Sequence, residues 1–205
     1  MGNVRAMRRA ALCGALSVAL LAGCGAAAEP AAQSEQPAQE VQQQATLGAQ
    51  VADAFKAVLA NPSSIDFAAE GDALKYCYAL VNMNEDGIPE LLLARQGSET
   101  DWFCRVLTFE QSVGQAVLVG EPFRYTTSSE ALYNAKDMHG LARATVVGEQ
   151  LVVEELRIQE GQLAVAQVGS FAVAEPPQLG EATGSAITFL DATDIRPVEC
   201  LRQMG

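Results

Sequence analysis

The 205-residue chain carries 25 acidic against 13 basic residues, a formal charge of −12, with 49% hydrophobic residues and a single histidine. So acidic a surface repels nucleic-acid phosphates and anionic lipid, which argues against nucleic-acid binding, and one histidine excludes a histidine-rich metal centre. The length suits one ordinary domain with a single core once an N-terminal leader and tether are set aside.

At the N-terminus, Arg5, Arg8 and Arg9 precede an apolar stretch, Ala10 to Ala22, too short to cross a bilayer as a helix. Leu21-Ala22-Gly23-Cys24 follows. This segment resembles the lipobox of bacterial lipoproteins, L-[AS]-[GA]-C, at every position. The resemblance implies a signal peptide over 1–23, diacylglyceryl transfer to the Cys24 thiol, cleavage after Gly23, and palmitate-type anchoring to the cell membrane on its extracellular side. Two acyl chains on one residue hold stably where one is marginal. The competing reading is an ordinary secretory signal with an incidental cysteine. Without residues 1–23, which hold three arginines and no acids, 10 basic residues face 25 acidic ones, a charge of −15.

Residues 24–45, rich in Ala, Gln, Glu and Pro with only Val41 to bury, are expected to form a disordered tether, because they bury too little to offset ordering entropy. A helix extending the next element is the alternative, since Ala and Gln are good helix formers. The folded domain is expected over 46–205. It opens with Leu47, Val51, Phe55, Val58 and Leu59 on one helical face, capped by Thr46 and stopped by Pro62.

Residues 76–94 then place two apolar runs around a polar turn, the pattern of a β-hairpin. Tyr76, Tyr78 and Leu80 alternate with Cys77, Ala79 and Val81, so both faces are apolar, and Leu91 to Ala94 is apolar without alternation. That suits strands in the middle of the core. In the turn, Asn82, Asn84, Asp86 and Glu90 stand at positions one, three, five and nine, glycine at six, and Ile88 offers a carbonyl at seven. Such spacing suits calcium, a hard cation that takes oxygen ligands from a tightly curled loop.

These residues resemble the calcium loop of FG-GAP-type β-propeller repeats, and more closely the D-x-N-x-D-G-x-P-E-L hairpin of uncharacterised exported lipoproteins of Gram-positive bacteria. An EF-hand fits less well, because its twelfth-position glutamate falls on Leu93. Asn82 replaces the family's aspartate, which leaves Asp86 and Glu90 as the only charged ligands and predicts weak calcium binding. The alternative is a turn pinned by Asn and Asp side chains bonding local amides, with no ion.

Further strands are expected at 102–110, 115–119, 123–127, 141–147, 150–158 and 162–168. A loop is expected over 175–186, a last strand at 187–190, and a short helix capped by Asp194. The fold class is α+β: an antiparallel β-meander packed by one N-terminal helix, after the signal peptide and flexible linker. No internal repeat of propeller length accompanies the FG-GAP-like loop.

Catalytic groups are sparse. His139 is the one imidazole available as a base, with Asp137 too near in sequence to be assumed its orienter. Glu154 and Glu155 face opposite ways on a strand. Trp102, Tyr125 and Tyr133 are the aromatics that could gather into a sugar platform. Cys77, Cys104 and Cys200 are disulfide candidates in an exported protein, with Cys77 and Cys104 too far apart if a third strand separates them; three buried thiols are the alternative. The expected function is a lipid-anchored envelope protein binding an extracellular or envelope partner without catalysis. The alternative is an envelope hydrolase acting on glycan or peptide through carboxylates.

Overall fold

The computed structural model describes residues 36–137, 139–173 and 183–204, with backbone alone over 36–46. The leader expected over 1–23, Cys24, and the first part of the tether lie outside these residues. Helix α1 spans Gln36–Ala60. It therefore begins inside the expected tether, and Thr46 is an interior helical residue instead of a cap, consistent with the helix propensity of the Ala, Gln and Glu residues there. Val51, Ala52, Phe55 and Leu59 are buried along one face. The helix stops before Pro62, which disfavours a helical Asn61 and opens a short 3-10 turn, Pro62–Ser64.

Among the described residues ten strands follow: β1 (Lys75–Val81), β2 (Glu90–Gln96), β3 (Asp101–Glu110), β4 (Gln115–Thr126), β5 (Glu130–Ala135), β6 (Leu141–Val147), β7 (Gln150–Gln159), β8 (Gln162–Ala172), β9 (Thr183–Ala186) and β10 (Leu190–Asp191). A short helix α2 (Arg196–Cys200) and a 3-10 turn, Leu201–Gln203, complete the described chain. All strand pairs are antiparallel, and the fold is α+β with an N-terminal helix. The strands form two five-stranded sheets, ordered β10-β1-β2-β3-β4 and β8-β7-β6-β5-β9. Each is a four-strand meander with one late strand added beside its first.

The β1–β2 hairpin lies inside the first sheet and is covered on both faces, which explains why both of its faces are apolar. Tyr78, Leu91 and Leu93 meet Val51, Phe55 and Leu59 of α1, together with Val198 and Leu201 from the C-terminal segment. Cys77, Ala79, Val81 and Leu92 face the other way and meet Leu132, Leu141 and Leu156 of the second sheet. Helix, first sheet and second sheet therefore stack as three layers.

Several expected boundaries differ. The segments 115–119 and 123–127 form one strand, β4, whose register against β3 breaks between Cys104 and Val106, a bulge at which Gly120 takes φ +63°. Strand β5 arises from a run without clear alternation, completed by pairing with β6 and β9. Part of the expected 175–186 loop is β9, while 174–182 lies outside the described residues. The final strand begins at Leu190 and not at Ile187. Asp194 Oδ1 accepts the Arg196 N–H at 3.3 Å, although the cap position itself is Ile195.

Candidate functional site: the β1–β2 turn and a buried carboxyl

The turn between β1 and β2 gathers the polar side chains singled out by sequence. Asn84 Oδ1 accepts the Asp86 N–H at 3.0 Å, and Asp86 Oδ1 accepts the Ile88 N–H at 2.7 Å, two side-chain-closed turns in succession. Gly87 takes φ +78° between them, where a Cβ would be strained. Ile88 sends its side chain into the core on the α1 side.

Glu90 opens β2 opposite Val81 and points into the layer between the sheets, where it is fully buried. Its Oε2 accepts the Met83 N–H at 2.7 Å; its Oε1 accepts Asn84 Nδ2 at 3.0 Å and the Thr108 hydroxyl at 3.2 Å. Burial pushes its pKa up to about 7, aided by the nearby Asp86 charge and opposed by the Met83 and Thr108 hydrogen bonds.

Asn84 Nδ2 also donates to Asp86 Oδ2 at 3.0 Å, so an amide nitrogen stands between the two carboxyls where a calcium loop would hold its ion. The Asp86 N–H fixes this amide's orientation. Of the expected ligands, Asn84, Asp86 and Glu90 thus meet around one atom, and Asn82 keeps a buried Oδ1 without a partner. As folded, this set does not fit a hard cation unless Asn84 turns its oxygen inward and gives up the Asp86 amide. No group of three His, Cys, Asp or Glu suited to a metal occurs among the described residues.

The same turn joins the two sheets, which no local pattern announced. Met83 O accepts the Ile158 N–H of β7 at 2.9 Å, and His139 Nδ1 lies 3.2 Å from Asn84 O. A carbonyl only accepts, so this contact sets Nδ1 as the protonated nitrogen.

No family model, curated protein or solved structure matches this chain.

The remaining candidates do not assemble. Asp137 Oδ1 accepts the His139 backbone N–H, not its imidazole, so the pair is a turn and not a base with its orienter. Glu154 pairs with Arg143 and Glu155 with Arg157, on opposite faces of β7. Trp102 and Tyr125 stack on Phe189 within the inter-sheet core, whereas Tyr133 belongs to a separate cluster, so no aromatic platform forms from the three.

The disulfide expectation is corrected as well: Cys77, Cys104 and Cys200 are free. Cys77 and Cys104 both sit in register with Ala94 from opposite sides, about 10 Å apart by two strand spacings. Cys200, on α2, is separated from both by the first sheet, because α2 packs on the sheet's other face.

Proposed function

We propose that this chain is an exported lipoprotein, anchored to the cell membrane through Cys24 and displaying its α+β body outside the cytoplasm as a non-catalytic binding module. The observation that carries this reading is Leu21-Ala22-Gly23-Cys24 directly after a basic and apolar leader. Support for binding over catalysis comes from the carboxyls. Glu90, the acid held protonated nearest neutrality, is fully buried and shares both oxygens with neighbouring donors, out of reach of a substrate. Asp101, Asp194 and Glu199 are instead held below the ordinary carboxylate range by hydrogen bonds from Arg124, Arg196 and Lys56 respectively. Two facing carboxyls with opposed pKa values, as a glycosidase needs, do not arise from this set.

The test is lipid labelling in the producing cell with a clickable fatty acid, followed by intact mass of the membrane-extracted protein. Wild type is expected to carry the label on a chain beginning at Cys24, and Cys24→Ala to lose both label and membrane retention. A chain with Met1 intact and no acyl adduct overturns the proposal.

A further inference from the structure

Among the described residues the two sheets end in four edge strands, β10, β4, β8 and β9, and three of them discourage an added strand. β10 and β9 are short, two and four residues. β4 is long, but it carries Glu121, Pro122 and Arg124 and bends at Gly120. Charge, proline, a bulge and shortness are the means by which natural sheets blunt their edges. β8 is the exception. It runs for eleven residues, Gln162–Ala172, and among the described residues it pairs only with β7.

From Gly161 to Ala174 no residue is charged and none is proline, in a chain of which 19% is charged. Leu163 packs toward Gly120 of β4, so the open part of the strand begins beyond it. There Val165 and Val168 are 54% and 50% exposed, and Val173 just past the strand is 47% exposed. Val168 is the extra residue of a bulge, since Gly169 pairs with Val153 and Gln167 with Glu154. The bulge bends the strand without placing a charge on it. An edge strand turns the N–H and C=O groups of alternate residues outward, a template for one more antiparallel strand.

Charge indicates which strand fits. When an edge pairs with its own copy about a two-fold axis, each residue meets the mirrored stretch of the same strand, so any charge is brought near its like. β8 meets that condition by carrying none. A basic partner drawn to so acidic a chain would be recognised by acidic side chains along the edge, and β8 offers no such side chain. In the adjoining β7, Glu154 and Glu155 are already paired with Arg143 and Arg157. Glu160, in the β7–β8 turn, and Glu149, whose carbonyl accepts the Val173 N–H at 3.0 Å, stand at the two ends of the neutral run. We infer that two copies of this chain join through β8, antiparallel about a two-fold axis, and so continue the second sheet from one copy into the other.

The test keeps the full-length chain in every arm, so that the leader is common to all. Sedimentation equilibrium is expected to show monomer and dimer in exchange, with the dimer tightened by added sodium chloride, because salt screens the repulsion between two acidic bodies. Amide exchange over 165–172 should slow as protein concentration rises. Val165→Lys should weaken the dimer roughly tenfold or more by setting like charges across the two-fold axis, although it lowers the net negative charge. Val113→Lys makes the same change of charge at a 58% exposed site between β3 and β4 and should dimerise at least as well as wild type. Thermal melting of both variants checks that they fold. The inference is overturned if the chain stays monomeric up to about 1 mM, the weak end of specific association. It is equally overturned if salt loosens the dimer, if exchange over 165–172 ignores concentration, if Val165→Lys dimerises as Val113→Lys does, or if association through β8 runs on past the dimer.

Discussion

Glu90 Oε2 accepts the Met83 N–H at 2.7 Å, and the carbonyl of the same Met83 accepts the Ile158 N–H of β7 at 2.9 Å. A single buried carboxyl is therefore one residue removed from a joint between the two sheets. Its protonation state and the seating of the hairpin tip are coupled, since an ionised carboxylate in this dry layer has Asp86 nearby and only amide and hydroxyl donors for compensation.

The first prediction concerns pH. Glu90 binds its proton with a pKa of about 7 in the fold against 4.5 in the ordinary range, so between those values the folded state holds more protons than the unfolded one. The stability this group contributes is fully present below about pH 4.5, falls as pH rises toward about 7, and is flat above. The change is on the order of 3 kcal/mol. Urea midpoints measured across this window should decline in wild type and stay level in Glu90→Gln. A parallel decline in both would show that another group is responsible.

Calcium provides the second. With Asn84 Nδ2 between Asp86 and Glu90, added calcium is expected to leave the melting temperature unchanged. A ligand that binds only the fold at a hundred times its dissociation constant stabilises by about 2.7 kcal/mol, well within detection. A saturable rise in wild type that Asp86→Asn removes would show that Asn84 does turn and the loop takes the ion.

Gly120 and Gly114 form a matched pair for the third. Both have positive φ, +63° and +65°, but a Cβ on Gly120 would stand 2.5 Å from Leu163 Cβ, whereas one on Gly114 meets nothing within 4 Å. Gly114→Ala should cost only the left-handed backbone penalty, about 1–2 kcal/mol. Gly120→Ala should cost about 1–3 kcal/mol more for overpacking where β4 meets β8. Equal losses in chemical denaturation would mean that β4 and β8 do not approach at this bulge.

For the thiols, peptide mapping after brief treatment of the native protein with iodoacetamide should find Cys200 modified and Cys77 and Cys104 untouched. Cys200 is exposed, while burial raises the pKa of both others and withholds the thiolate. Modification of Cys104 without denaturant would count against the inter-sheet core as described.

Much of the first sheet was legible because its signals are local. Alternation in β1 sorted Tyr78 from Cys77 and Ala79 onto opposite faces, and the helical spacing of Val51, Phe55 and Leu59 named the face that packs against Tyr78. Where pairing with a distant strand does the work, the local signal fades. β5 carries no clear alternation and is held by β6 and β9; the 115–127 region reads as two strands because the bulge at Gly120 interrupts one. The start of α1 stayed open for a different reason: Ala- and Gln-rich sequence suits both a spacer and a helix extending the next element, composition does not choose, and from Gln36 on the chain is helix.

Chemistry by spacing was legible only in part. The Asn82–Glu90 pattern located a turn whose side chains close on one another, but the direction of the Asn84 amide, set by the Asp86 N–H, is a question of orientation that spacing does not address. Arg95 drew no notice in the sequence, being one charged residue at the end of an apolar strand. Its burial on the α1-facing side of the first sheet, with the guanidinium bonded to the Glu70 and Gly71 carbonyls, became evident only with the layers assembled.

Read alone, the residues of this chain determined the alternation of its strands, the buried stripe of its helix and the lipobox-like leader, all properties of neighbours along the backbone. The tertiary structure decided which groups lose water: that Glu90 is shut between two sheets, that Arg95 and Arg105 are buried on one face of the first sheet, and that Cys77, Cys104 and Cys200 stay apart. Desolvation depends on what packs from far along the chain, and only the assembled fold specifies that.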